Sequence, residues 1–275
     1  MPSQAEKCQA FAALHQQDEA FIIANPWDAG SAMLLQGLGF KALATSSGGF
    51  ALTLGKADGQ PSLEEKLAHC RAVAAATDIP VSADFEDGYA SAPEDVAKNV
   101  AAMIETGVAG CSIEDFDRAA QQMYDTTLAV ERVAAAAEVV KGLDFPFQLT
   151  ARAEHLLRGG ADLDSVIARL QAFEAAGADV LFAPGVNSLE DLRTITDSIN
   201  KPFNVLGVML AGATLQDMQA AGAQRVSIGG SLPFVGAKPI LESCASMLEE
   251  GRFDWVANSA PYGEVMALIN RGPQG

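Results

Sequence analysis

Four segments of the chain share one cadence: a glycine, a few mixed residues, then a short apolar run. They are Gly39-Phe40-Lys41-Ala42-Leu43-Ala44-Thr45, Gly107-Val108-Ala109-Gly110-Cys111-Ser112-Ile113, Gly177-Ala178-Asp179-Val180-Leu181-Phe182-Ala183 and Gly222-Ala223-Gln224-Arg225-Val226-Ser227-Ile228. Each glycine follows a stretch of helical character, as expected of a residue that closes a helix. The grammar is helix, glycine, buried strand, loop, helix. Filling the intervals predicts strands near residues 21–25, 42–46, 80–84, 110–114, 147–152, 179–183, 203–208 and 225–229. The clearest helix runs from Leu163 to Ala176, where Leu163, Val166, Ile167, Leu170 and Phe173 form one apolar stripe and Asp162 is the expected N-cap.

Eight strand–helix units in about 250 residues is the arithmetic of a (β/α)8 TIM barrel. The predicted architecture is a single α/β domain over 1–275, with an N-terminal helix from Ser3 to His15 and extra C-terminal helices. A doubly wound open sheet is the alternative, but its Gly-x-Gly-x-x-Gly fingerprint is missing after the first strand. A tail over 252–275 changes character, with Phe253, Trp255, Pro261 and Tyr262 before a helix from Glu264 to Asn270. It is either an oligomer contact or a cap over the barrel's own surface.

Charge narrows the partners. Asp and Glu number 35 against 18 Lys and Arg, a net charge of −17. That excess disfavours nucleic acid and anionic membranes, which it would repel. No apolar run approaches a membrane span and no signal peptide opens the chain, so a cytoplasmic location is expected. The scattered Cys8, Cys70, Cys111 and Cys244 form no Cys-x-x-Cys pair, which argues against a zinc site or disulfide framework.

Parallel barrels place their chemistry at the carboxyl ends of the strands. There the sequence sets Asp84, Glu86 and Asp87 after the third strand and Glu114 and Asp115 after the fourth. Asp84 and Glu86 share strand parity and are expected to face inward together. With Glu114 they suit Mg2+, a hard cation that takes oxygen ligands; no His or Cys lies among them to favour zinc. Asp87 and Asp115 read instead as solvated helix caps. Ser46-Ser47-Gly48-Gly49 can present backbone N–H groups to an anion. Arg152, at the end of the fifth strand, suits bidentate carboxylate or phosphonate binding, or a salt bridge to the acids. His15 and His69 read as structural, and His155 lies nearer the mouth.

These marks, in this order, resemble the isocitrate lyase / phosphoenolpyruvate mutase superfamily. The resemblance rests on Asn25-Pro26-Trp27-Asp28, Ser46-Ser47-Gly48-Gly49, Asp84-x-Glu86, Ile113-Glu114-Asp115 and Ala151-Arg152-Ala153-Glu154, and covers about Phe21 to Gly230. It implies a barrel whose eighth helix is exchanged between subunits of a homodimer or homotetramer. It implies Mg2+ held by Asp84 and Glu86, with Glu114 assisting through water, and a small anionic carboxylic acid as substrate. Ser46, Ser47 and Gly48, with Trp27 beside them, would bind the substrate; Arg152 would grip its anion, and Glu114 and Asp58 would serve the chemistry. Lyases of the superfamily carry Lys-Lys-Cys-Gly-His after the fourth strand, whereas this loop, Phe116 to Tyr124, has no Cys and no His. The mutases' loop Asn and the lyases' Glu after strand six are also missing.

The function these features imply is a Mg2+-dependent carbon–carbon lyase or decarboxylase acting on a small 2-oxo or 2-hydroxy acid through a pyruvate-type enolate. Phosphonopyruvate mutase or hydrolase chemistry is one alternative; only Arg118 in the loop adds the positive charge it needs. A non-catalytic 2-oxo acid binding protein on the same scaffold is the other.

Overall fold

In a computed structural model, which describes residues 1–160 and 162–271, eight parallel strands close into a barrel. They are β1 (Phe21–Ile23), β2 (Leu43–Ala44), β3 (Val81–Asp84), β4 (Gly110–Glu114), β7 (Gln148–Arg152), β8 (Val180–Phe182), β9 (Phe203–Leu206) and β10 (Arg225–Ser227). A two-stranded hairpin, β5 (Phe116–Asp117) with β6 (Gln122–Met123), interrupts the series after β4. The order is β1-β10-β9-β8-β7-β4-β3-β2, and a parallel bridge between Ala24 and Leu43 joins the two ends. The Ala44 N–H donates to the Ala24 carbonyl at 3.0 Å across that seam. The open-sheet alternative is thereby set aside.

The helices follow the predicted grammar: α2 (Ala29–Gly37), α3 (Ser47–Thr53), α4 (Leu63–Ala75), α5 (Pro93–Ile104), α6 (Thr126–Lys141), α7 (His155–Arg158), α8 (Leu163–Ala175), α9 (Leu189–Thr196), α10 (Leu215–Ala220) and α11 (Ser231–Ala245). Asp162 caps α8 by accepting from the Ser165 N–H at 2.8 Å. All four glycines of the cadence have positive φ. At Gly222, with φ of 90°, a Cβ would also lie 2.3 Å from Thr196 Oγ1, so conformation and space both exclude a side chain.

α1 (Gln4–Gln16) closes the amino-terminal end of the barrel. Ser3 and Glu6 form a capping box at its start, and Cys8 and Phe11 are fully buried against the barrel. Gly110 leaves room for it: a Cβ there would meet Phe11 at 3.0 Å and the Gln148 carbonyl at 2.6 Å.

The tail does not leave the molecule. α12 (Tyr262–Ile269) packs on α2, and Gly37 lies so close that a Cβ would fall 2.1 Å from the Leu268 carbonyl oxygen. Its described portion caps the barrel's own surface; residues 272–275 of the predicted tail lie outside the described residues. α11 is different. Phe234, Val235, Ile240 and Leu241 are all exposed, from 61% to 70%. Among the described residues, no helix is long and apolar enough to cross a membrane.

Candidate active site

Above the strand ends lies a cavity of about 480 Å³. Of the predicted site residues, Ser46, Ser47, Gly48, Asp58, Asp84 and Arg152 line it. Trp27, Glu86 and Glu114 are not among its lining residues. Trp27, expected beside the substrate, does not line this cavity. Its Cβ instead packs at Gly49, and its carbonyl accepts from His69 Nε2 at 3.0 Å. Asn25 takes the place beside the cavity, where its amide fastens three strand ends. Nδ2 donates to the Ala44 and Thr45 carbonyls, and Oδ1 accepts from the Ile228 N–H.

Asp84 ends β3 with its carboxylate fixed from two sides. Oδ2 accepts from the Ser47 N–H at 2.9 Å, and Oδ1 lies 3.5 Å from Arg152 Nη1. The Ser47 amide, expected to serve an external anion, is thus engaged by the protein's own acid. Burial would raise the Asp84 pKa, but Arg152, Lys66 and Arg118 outweigh it and hold the carboxyl at about 2.

Glu86 does not reach inward by strand parity. It lies past the end of β3 with φ of 51°, a left-handed conformation uncommon outside glycine. This turn aims its carboxylate at Tyr89, whose O–H donates to Oε1 at 2.6 Å, and at Arg118, whose Nη1 lies 3.0 Å from Oε2. Glu114 is fully buried behind the cavity wall, with Oε1 2.9 Å from Arg118 Nε and Oε2 3.2 Å from Arg152 Nη1. Burial pushes its pKa up to about 7, against the pull of Arg152. Asp58, half exposed at the rim, lies 3.3 Å from Arg118 Nη1.

The guanidiniums organise this mouth. Arg152 Nε donates to Glu154, while Nη1 faces Asp84 and Glu114. Burial opposes its charge, but Glu114, Glu154 and Asp84 together raise its pKa further. Arg158 adds a second contact to Glu154 at 3.2 Å and lies over the Phe116 ring at 4.0 Å. Among the described residues, no three His, Cys, Asp or Glu side chains are grouped to ligate a metal ion. The all-oxygen donor set suits a hard cation in chemistry. In this arrangement guanidiniums face those oxygens: Glu86 Oε2 and Glu114 Oε1 turn to Arg118, and Glu114 Oε2 to Arg152.

Asp115 is not the solvated cap expected. It is 2% exposed, accepts from the Glu154 N–H at 2.8 Å, and pairs with Arg169 at 3.1 Å. Asp87 is not a helix cap either: it is half-buried in a turn, accepting from the Tyr89 and Arg118 N–H groups, and α5 is capped at Ala92. His15 and His69 are structural as expected; burial keeps each largely neutral with a pKa near 3. His155 Nδ1 stands 3.6 Å from Asp115, off the cavity wall.

Several contributors carried little sequence signal. Lys66, fully buried on α4, reaches Thr45 Oγ1 at 3.4 Å and sits in an ordinary helical pattern. Arg225 opens β10 and lines the cavity floor. Its partners are neutral: Asn204 Oδ1 at 2.8 Å, Thr150 Oγ1 at 3.1 Å and His15 Nε2 at 3.3 Å. Burial alone drops its pKa to about 9.

The chain is similar in sequence and fold to known proteins. A model of the phosphoenolpyruvate phosphomutase family matches residues 11–248. An uncharacterised Mycobacterium tuberculosis protein is 32% identical over 94% of this chain and 96% of its own. The 2-methylisocitrate lyase of Escherichia coli K12 is 30% identical over 71% of this chain and 68% of its own. An oxaloacetate decarboxylase of Bradyrhizobium diazoefficiens is 29% identical, over 69% and 66%. Among solved structures, a lyase/mutase candidate from Burkholderia cenocepacia J2315 superposes with a TM-score of 0.91 at 41% identity, covering 98% of this chain and 95% of its own. A phosphonopyruvate hydrolase in complex with oxalate and Mg++ shares the fold, with a TM-score of 0.86 at 22% identity, over 96% and 95%.

Proposed function

Because the chain belongs to the phosphoenolpyruvate phosphomutase family, within the isocitrate lyase / phosphoenolpyruvate mutase superfamily, we propose that it is a lyase that cleaves a carbon–carbon bond, or decarboxylates, a small 2-oxo or 2-hydroxy acid through a pyruvate-type enolate. The observation that carries this reading is the pairing of Arg152 and Asp84 in one cavity wall, beside Ser46, Ser47 and Gly48. Arg152 binds the substrate's carboxylate or 2-oxo oxygen. Its charge is fixed in place by Asp84, Glu114 and Glu154 before substrate arrives. As the C–C bond breaks and its electron pair moves onto the 2-oxo fragment, negative charge grows beside a cation that needs no reorganisation. Asp58 works from the rim; Glu114 acts through Arg152 and positions it.

Mg2+ was expected at Asp84, Glu86 and Glu114, and a phosphonopyruvate hydrolase of the same fold was solved with Mg++ and oxalate. Here the enolate step draws on Arg152, and dependence on Mg2+ is the variable that EDTA tests. The assay is pyruvate release from oxaloacetate by the wild type and by Asp84→Ala, with and without EDTA. Turnover that is lost in the variant supports the reading. Turnover unchanged in the variant and in EDTA overturns it.

The C–P alternative requires Arg118, the loop cation a phosphonate would need, to leave Asp58, Glu86 and Glu114. Phosphate release from phosphonopyruvate would support it. Binding of 2-oxo acids without any product would favour the non-catalytic reading.

The assembly we propose is a homodimer or homotetramer in the cytoplasm, with the exposed apolar face of α11 covered by, or exchanged with, a neighbouring subunit. The free thiols, three of them buried, fit a reducing compartment. Light scattering on the wild type and on Leu241→Glu tests the assembly; a monomer in both overturns it.

A further inference from the structure

Arg118 lies where three acidic loops meet. Its Nε is 2.9 Å from Glu114 Oε1, and its Nη1 is 3.0 Å from Glu86 Oε2 and 3.3 Å from Asp58 Oδ1. Glu114 ends β4, while Glu86 and Asp58 lie on the segments after β3 and β2, so one guanidinium ties together three separate parts of the mouth. The side chain is 11% exposed.

The surroundings are built to seat it. Gly59 has φ of 82°, and a Cβ there would stand 3.1 Å from Arg118 Nη1 and 3.5 Å from its Cδ. The Arg118 N–H donates to Asp87 Oδ2 at 3.3 Å. The hairpin that carries it turns at Gln121, with φ of 54°, and Asp117 Oδ1 accepts from the Ala119 and Ala120 N–H groups inside that turn. Glu86 holds its own left-handed turn and a Tyr89 hydrogen bond while presenting Oε2 to Arg118. Glu86 and Glu114 are two of the three acids, with Asp84, expected to hold a divalent ion, and a guanidinium and a divalent ion cannot share their oxygens without strong repulsion.

We propose that Arg118 is a tethered cation that competes with a divalent metal ion for the carboxylates of Glu86, Glu114 and Asp58, so that the ion binds only as Arg118 withdraws. The protein carries its own positive charge to the mouth on the β5–β6 hairpin. The inference rests on reading this mouth as the family's reaction site. It is tested without substrate, so its failure is distinct from a failure of the lyase assignment.

The experiment is a titration of the full chain with Mn2+, followed by calorimetry and by the Mn2+ paramagnetic resonance signal, on wild type, Arg118→Met and Arg118→Lys. Circular dichroism checks that each is folded. Arg118→Met is expected to bind Mn2+ at least tenfold more tightly than wild type, with Arg118→Lys between them. Equal or weaker binding by Arg118→Met, or none in any protein, overturns the proposal. If Arg118→Met does not fold, hydrogen exchange of the wild type decides. Saturating Mn2+ is expected to raise exchange across residues 116–123, and unchanged exchange with the ion bound overturns the proposal.

Discussion

Arg152 and Arg225 stand on one row of the sheet register, which runs Arg152, Phe182, Asn204, Arg225 across four strands. They are buried in the same barrel, yet their neighbours are opposite in kind. At the mouth Arg152 is held by Asp84, Glu114 and Glu154. At the floor Arg225 meets an amide, a hydroxyl and a neutral imidazole. The mouth charges are mutually dependent: remove one and its partners are stranded in a medium that penalises them. The floor charge is solvated by dipoles and strands nothing ionic when removed. The difference teaches that burial alone does not set the character of a guanidinium; the mouth is distinguished by acids that fix the cation and share its fate.

The sharpest way to break this comparison is Arg152→Ala. It should lower oxaloacetate turnover by about a hundredfold or more and cost about 3–5 kcal/mol of stability, read by kinetics and urea denaturation. Tolerance of this change would erase the distinction between mouth and floor.

The second test is pH. The Glu114 pKa is raised from 4.5 to about 7, so between these values the folded chain holds a proton that the unfolded chain releases. Stability therefore falls as pH rises through that window. Asp115, raised from 3.8 to about 6, adds the same sign over its own range. Asp84, lowered to about 2, acts oppositely, and only below its ordinary 3.8. Glu114→Gln should flatten the decline between pH 5 and 7.5 by an amount on the order of 1–2 kcal/mol. Urea midpoints at those two pH values measure it.

Arg225→Met, which removes the floor charge and keeps the bulk, should change stability by no more than about 1 kcal/mol in either direction. A loss as large as that of Arg152→Ala would show the floor to be as tightly coupled as the mouth. The smallest effect is expected at Asp58→Asn. Its carboxylate is 49% exposed, so its pair with Arg118 is screened and worth about 0.5 kcal/mol or less by thermal melting.

The barrel was legible because its signals are local and repeated. Helix-closing glycines and short apolar runs placed all eight strands within a few residues, and Asp162 announced its cap. The meeting of Asp84, Glu114 and Arg152 was legible too, because parallel strands deliver their ends to one rim. What failed was inference beyond the strand. Alternation of side chains holds only while the backbone is extended, and Glu86 sits in a left-handed turn where parity has no meaning. Asp115 looked solvated because its partner, Arg169, lies 54 residues away on α8. Arg118 was visible as a lone loop cation, but its three acids come from three separate segments. Trp27 was assigned by resemblance, and the chain turns it toward Gly49. Partners far apart in sequence leave no local pattern to read.

Gly37 has a consequence for how force crosses the protein. The nine residues of α2 form a rod about 13 Å long. One end begins at Asp28, next to the Asn25–Trp27 loop; the other lies beneath Leu268 with no side chain between. A force applied at α12 therefore acts on a lever whose far tip borders the cavity, whereas a force applied at α1 acts only on the plug under the floor.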